Sequence, residues 1–214
     1  MKIGIIGTGK MGSGLGRVWA AAGHQVFFGS RDTDKAKALA AEVGAGLQGG
    51  TFEQAAEFGD IVLLSVPGFA AEETAQELAN VIRGKALIDL TNVMSQTGFG
   101  LFVGTTTSMA EIIAERTGAK VVKAFNTMYY ETLGSGGRPD AAPEERLVLF
   151  VAGDDAEAKA VVSGLIEEIG FTPVDVGSLE DGRKQQPGSP IYNVPMNEER
   201  AREILADMDR EGTR

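Results

Sequence analysis

The sequence predicts an α/β fold: a doubly wound, mostly parallel sheet of the Rossmann type, followed by a small C-terminal appendage. Short apolar runs alternate with amphipathic helical stretches from residue 3 to residue 176, which implies parallel strands joined by right-handed crossovers. The strand-like runs, IVLLSV at 61–66 above all, are apolar throughout, as strands covered on both faces are. At 214 residues the chain suits one domain plus an arm, drawn here as 1–180 and 181–214.

The elements follow in order. Ile3–Ile6 is too short for a helix and ends at glycine, so it reads as a buried strand. Met11, Leu15, Val18, Trp19 and Ala22 fall on one helical face that stops at Gly23. Gln25–Phe28, Ile61–Val66, Ala86–Leu90, Lys120–Phe125, Leu147–Ala152 and Phe171–Val176 supply further strands. Helices are expected at Thr33–Val43, Ala70–Ile82, Ser108–Thr117 and Ala156–Ile169. Gly134–Arg146 (GSGGRPDAAPEER) is polar and rich in Gly and Pro, and reads equally as a connector or a lid. Beyond Asp181, three prolines alternate with apolar residues. Asn197 then caps a helix striped by Ala201, Ile204, Leu205 and Met208. That stripe and the apolar arm predict a homodimer, since an isolated chain has little left to cover them.

Composition removes whole classes of chemistry. With no cysteine and one histidine, disulfides, thiolate nucleophiles and nearly all zinc sites are excluded. The formal charge of −10 disfavours a nucleic-acid partner. No apolar run reaches the ~18 residues of a membrane span, and MKIGIIGTG lacks signal-peptide anatomy, so a cytoplasmic protein is expected. Glycine is the unusual entry in the composition, 29 of 214 residues, about twice the common share.

Six of those glycines fall in the first sixteen residues, and three form Gly7-Thr8-Gly9-Lys10-Met11-Gly12, a G-x-G-x-x-G turn between a strand and a helix. Gly7 allows the tight turn, Gly9 lets a pyrophosphate approach the backbone, and Gly12 permits close helix–strand packing. The helix N-terminus offers N–H groups to the phosphates. Gly14 and Gly16 read as packing glycines of the same helix. After the second strand comes Gly29-Ser30-Arg31, with Lys35 one turn later. A carboxylate for a free ribose 2′-hydroxyl is absent at that tip, while Ser30, Arg31 and Lys35 suit a 2′-phosphate, so NADP(H) is the expected cofactor. Asp32 and Asp34 are read as acidic residues at a helix N-terminus.

His24 lies at the N-terminal edge of its strand, the wrong side for a ligand in such a sheet. The candidate loops are those after strand C-termini: Ser65-Val66-Pro67-Gly68, Thr91-Asn92-Val93 and Asn126-Thr127-Met128-Tyr129-Tyr130. Their neutral hydrogen-bonding groups can orient a nicotinamide without proton chemistry. Lys123 is a minor candidate acid.

From Lys2 to about Val176 the chain resembles the coenzyme F420-dependent NADP oxidoreductase family, through IGIIGTGKMGSGLG, GHQVFFGSRDTDKA, SVP, KAFNT and VAGDDAEAK. The resemblance implies a Rossmann domain with a C-terminal appendage that carries a hydride between NADP(H) and a deazaflavin. It places Thr8 with Ser30, Arg31 and Lys35 on the 2′-phosphate, and Asn126, Thr127 and Met128 in the cleft where two rings stack. Asn126 stands where the family tends to have a histidine. A flavin is an alternative acceptor. A reductase of a small carbonyl or imine, and a non-catalytic NADP(H)-sensing protein, are the competing functions.

Overall fold

The computed structural model describes residues 1–92, 94–95, 98–101 and 108–212, with the side chains of 1–92 and 108–210. Val93 of the expected Thr91-Asn92-Val93 loop lies outside them. The strands are β1 (Lys2–Ile6), β2 (Gln25–Gly29), β3 (Gln48–Gly50), β4 (Ile61–Leu64), β5 (Ala86–Asp89), β6 (Met94–Ser95), β7 (Gly98–Leu101), β8 (Lys120–Ala124), β9 (Val148–Gly153) and β10 (Thr172–Gly177). The helices are α1 (Lys10–Ala21), α2 (Thr33–Val43), α3 (Phe52–Phe58), α4 (Gly68–Glu77), α5 (Ala79–Ile82), α6 (Met109–Thr117), α7 (Tyr130–Ser135), α8 (Ala156–Glu168) and α9 (Glu198–Gly212).

Eight strands form one sheet in the order β10-β9-β8-β5-β4-β1-β2-β3, and β6 and β7 pair separately. The order turns around between β1 and β4, each of which pairs with its neighbours in parallel. That reversal is where ligands of open α/β sheets bind. The sheet is parallel up to β8, but β9 runs antiparallel to β8. A parallel strand requires the chain to cross back to the other end of the sheet, usually through a helix. After β8 it does not cross. Arg138 N–H donates to Gly170 O at 2.9 Å, and Thr172 Oγ1 to Pro143 O at 2.7 Å. The connector therefore stays beside the start of β10, and β9 enters from that end. Within Gly134–Arg146, Arg146 donates to the carbonyls of Ala141 (2.9 Å) and Pro139 (2.7 Å), closing the stretch on itself. The first residues of the stretch finish α7.

Two elements between Gln48 and Phe58 escape the hydrophobic pattern. β3 reads QGG and has no apolar run, and α3 is only seven residues long. Its signal is the capping box, in which Thr51 Oγ1 accepts from Gln54 N–H and Gln54 Oε1 from Thr51 N–H. The expected helix over Ala70–Ile82 starts earlier and is broken at Leu78 into α4 and α5. Ala22, assigned to the buried face of α1, is exposed, while Leu15 and Trp19 are fully buried.

Apolar side chains gather on both faces of the sheet. α1, α2 and α8 cover one face, with Trp19 edge-on to Phe125 at 5.6 Å, and α3, α4, α5 and α6 cover the other. A third cluster joins Val148, Phe150, Val174 and Val176 to Ile191, Met196 and Ala201, with Ile204, Leu205 and Met208 against it. The stripe and arm that predicted a homodimer are thus packed in part within the same chain, with Ile204, Leu205 and Met208 half-buried and Val194 exposed.

Candidate active site

The turn from β1 into α1 is shaped by what its glycines make room for. Gly7 has φ +118°, and a Cβ there would come within 2.2 Å of Ser65 O at the end of β4. A Cβ on Gly12 would lie 2.2 Å from Gly7 O, so α1 sits directly against the turn. Gly9, the N-cap, has nothing within 4 Å on its Cβ side and supplies no side-chain cap, which leaves the first-turn N–H groups of α1 available to a ligand. Gly16 is a packing glycine as expected, since its Cβ would meet Phe28 at 2.3 Å. Gly14 is not, because it faces open space.

Beside this turn opens a cavity of about 460 Å³. It collects Gly7, Thr8 and Gly9 from the fingerprint, Ser30, Arg31 and Lys35 from the end of β2, and Ser65, Val66 and Pro67 from the end of β4. Thr8 and Ser30 face each other with their hydroxyls 3.5 Å apart. Asp32 is turned into α2, where it accepts from the Lys35 N–H at 3.1 Å, and Lys37 approaches Asp34 at 3.8 Å. Among the described residues no carboxylate pairs with the side chain of Arg31 or Lys35. Lys10, Met11, Gly12 and Asn92 lie outside the lining. Met11 packs on the core, and Lys10 donates to Tyr130 Oη at 2.8 Å, a bond that raises the Lys10 pKa. Sequence reasoning missed Phe52 and the α4 wall of Phe69, Glu73, Thr74 and Glu77. Phe52 was hidden with α3. A 79% exposed phenylalanine in the first turn of α4 shows no periodicity that would mark it.

The second polar group lies at the ends of β5 and β8. Asp89, fully buried, accepts from Thr91 N–H (2.8 Å), Thr91 Oγ1 (2.7 Å) and Lys123 Nζ (3.0 Å), and Lys123 also donates to Thr91 O. Lys123 is thus one half of a buried ion pair that shapes the β5 loop. Asn126, Thr127 and Met128 are buried and do not line the open cavity. The C-terminal segment covers them: Asn193 N–H donates to Thr127 O at 3.0 Å, and Asn126 Nδ2 donates to Gln185 O at 2.7 Å. Asn92 Nδ2 in turn donates to Asn126 O (3.1 Å) and to the Tyr192 hydroxyl (3.4 Å), and burial pushes the Tyr192 phenol pKa up. His24 is away from both groups and pairs with Glu168 and the N-terminal amine. Among the described residues no cluster could hold a metal ion, and no helix is long and apolar enough to cross a membrane.

Residues 2–93 match the family described as NADP oxidoreductase, coenzyme F420-dependent. An F420-dependent NADP reductase from Methanothermobacter thermautotrophicus is 32% identical over 199 residues, covering 86% of this chain and 84% of that protein. The chain belongs to this family. Its members are oxidoreductases, and this chain is one of them. Two solved structures extend the likeness. A hypothetical protein from Sinorhizobium meliloti superposes with a TM-score of 0.79 at 28% identity, over 92% of this chain and 95% of its own. A putative F420-dependent NADP reductase from Arthrobacter sp. FB24 gives 0.72 at 26% identity, over 97% and 91%.

Proposed function

We propose that this oxidoreductase exchanges a hydride between NADP(H) and a flat deazaflavin or flavin, with coenzyme F420 as the first candidate. One observation carries the reading: the fingerprint turn and the Ser30–Arg31–Lys35 group line the same cavity, with Asp32 turned away into α2. The residues fit the dinucleotide. Gly9 leaves its flank open to a pyrophosphate, and the uncapped first turn of α1 donates N–H groups toward it. Arg31 would hold the 2′-phosphate, with Lys35 adding charge and the Thr8 and Ser30 hydroxyls offering further donors. Glu73 and Glu77 on the opposite wall suit the amino group of an adenine. The dinucleotide, when bound, supplies the hydride from its nicotinamide ring. For the chain the task is then to align two rings and exclude water, which accounts for a site without a histidine acid. The relatives that are F420-dependent NADP reductases support F420 as the acceptor.

The test is binding followed by turnover. NADPH is expected to bind at least about tenfold more tightly than NADH, as a phosphate held by charged donors should. Oxidation of NADPH with F420, FMN or a ferric chelate, followed at the nicotinamide and deazaflavin absorption bands, identifies the acceptor. Equal affinities for NADPH and NADH would overturn the cofactor assignment, and tight NADPH binding without turnover on any acceptor would overturn the enzymatic one.

A further inference from the structure

Two amide oxygens at the ends of β8 and the C-terminal segment accept no hydrogen bond. Asn126 is 3% exposed and Gln185 0%. Main-chain carbonyls fix how each amide is turned. Asn126 Nδ2 donates to Gln185 O (2.7 Å) as well as to Asn92 Oδ1 (3.0 Å), and Gln185 Nε2 donates to Lys123 O (3.4 Å). Rotating either amide would set oxygen against oxygen. Asn126 Oδ1 and Gln185 Oε1 are therefore left without a donor, and Ser189 Oγ, four residues after Gln185, is buried and unpartnered too. Buried acceptors in this state lower stability and call for a reason.

The backbone around them is held in an uncommon shape. Phe125, immediately before Asn126, has φ 65°, and Asn193, whose N–H reaches Thr127 O, has φ 55°. These are the two non-glycine residues with positive φ among the described residues. Conformations of this kind persist where surrounding structure imposes them, and they concentrate at binding sites.

We propose that Gln185 and Asn126 are the docking point for an amide N–H carried by a cofactor ring. The donor is either the nicotinamide carboxamide or the cyclic imide of a deazaflavin or flavin. This assignment rests on the reading of the neighbouring cavity as an NADP(H) site. The chemistry of the cluster selects a donor. Both N–H groups of Asn126 and one of Gln185 are already engaged, so what the cluster chiefly offers is two acceptor oxygens, which suit the N–H groups of a carboxamide or imide better than a phosphate or carboxylate. The cluster also lies at the carboxyl ends of β5 and β8, the same end of the sheet as the fingerprint turn. Gln185 is then a positioning residue that sets ring orientation, and the segment carrying Tyr192 and Asn193 shifts to admit the ring.

The decisive comparison is Gln185→Met against the parent protein, using NADPH and 2′-phospho-ADP-ribose, which lacks the nicotinamide. Fragment affinity is expected to stay unchanged while one ring-side quantity falls about tenfold. A tenfold loss of NADPH affinity, with parent preference for NADP+ over its 3-acetylpyridine analogue abolished, assigns the oxygens to the carboxamide. A tenfold rise in KM for F420 or FMN at unchanged NADPH affinity assigns them to the imide. Equal weakening of fragment and NADPH, or no change in any quantity, overturns the proposal. Asn126→Ser serves in the same comparison if the first variant does not fold. Failure of the parent protein to bind the fragment would instead count against the NADP(H) reading itself.

Discussion

The two ends of the candidate site are built from different materials. At the β1–α1 end, the shape comes from backbone: glycines at 7 and 12 let main chain approach main chain, and the charged groups Arg31 and Lys35 stand exposed around an open cavity. At the β5–β8 end, the shape comes from side chains. The buried Asp89–Lys123 pair and the amides of Asn92, Asn126 and Gln185 interlock beneath a segment that arrives from the far C-terminus. A backbone-built half tolerates almost no added atom but is indifferent to much of its surroundings. A side-chain-built half depends on every partner being present, because each unpaired buried group lowers stability.

Adding one methyl group at the first end should be the most damaging change. Gly12→Ala places Cβ 2.2 Å from Gly7 O, and a loss of about 3 kcal/mol in urea denaturation is expected, with NADPH binding lost alongside. An unchanged denaturation midpoint would show that the turn can give way. Next, Arg31→Ala should weaken NADPH binding by about 10- to 100-fold and leave NADH nearly untouched, since charge-assisted bonds to phosphate are worth about 1.5–3 kcal/mol. A similar loss for both dinucleotides would move Arg31 off the 2′-phosphate.

A smaller effect is expected where the C-terminal segment is tethered. Arg183 donates to both oxygens of Glu111, at 3.0 and 3.2 Å. Burial pushes the Glu111 carboxyl up, but the Ser108 N–H and hydroxyl and the Arg183 guanidinium together outweigh it and hold the pKa below the usual carboxylate range. A carboxyl lowered in the folded state contributes stability above its unfolded pKa, about 4.3, and that contribution disappears as pH falls through the lower folded value. Glu111→Gln should therefore cost about 1 kcal/mol near neutral pH, the scale of a partly exposed bridge, and the difference should shrink below about pH 4. Thermal melts across pH 3–7 read it directly, and a constant gap would separate the tether from ionisation. The smallest effect has the opposite sign: Gly14→Ala, in open space on α1, should stabilise by about 1 kcal/mol without altering NADPH affinity.

The same contrast decides what could be read from the sequence. The fingerprint turn and the groups at the ends of β2 and β4 follow from glycine spacing and strand boundaries, so nine of the residues expected there line the cavity. The parallel sheet as far as β8 follows from apolar runs. What escaped depends on contacts between distant segments. Gln185 lies 59 residues from Asn126, and no local pattern announces that the two meet. The reversal of β9 depends on hydrogen bonds from the connector to Gly170 and from Thr172 to Pro143, which leave no mark on hydrophobic periodicity. Phe69 was passed over because an exposed aromatic breaks a pattern and so looks like noise.

Position along the chain also sets an order of completion. Every residue lining the cavity lies between Gly7 and Glu77, so during synthesis the dinucleotide half has all its parts while more than half of the chain is still to come. The segment that covers Asn126–Met128 is among the last to be made: Asn126 awaits a partner as late as Gln185, and its neighbour Thr127 one as late as Asn193. Domains fold from the N-terminus as they emerge. On the proposed reading, a nascent chain would have the residues for the cofactor's phosphates before it has those that align a ring, and competence for hydride transfer would arrive as a separate, later event.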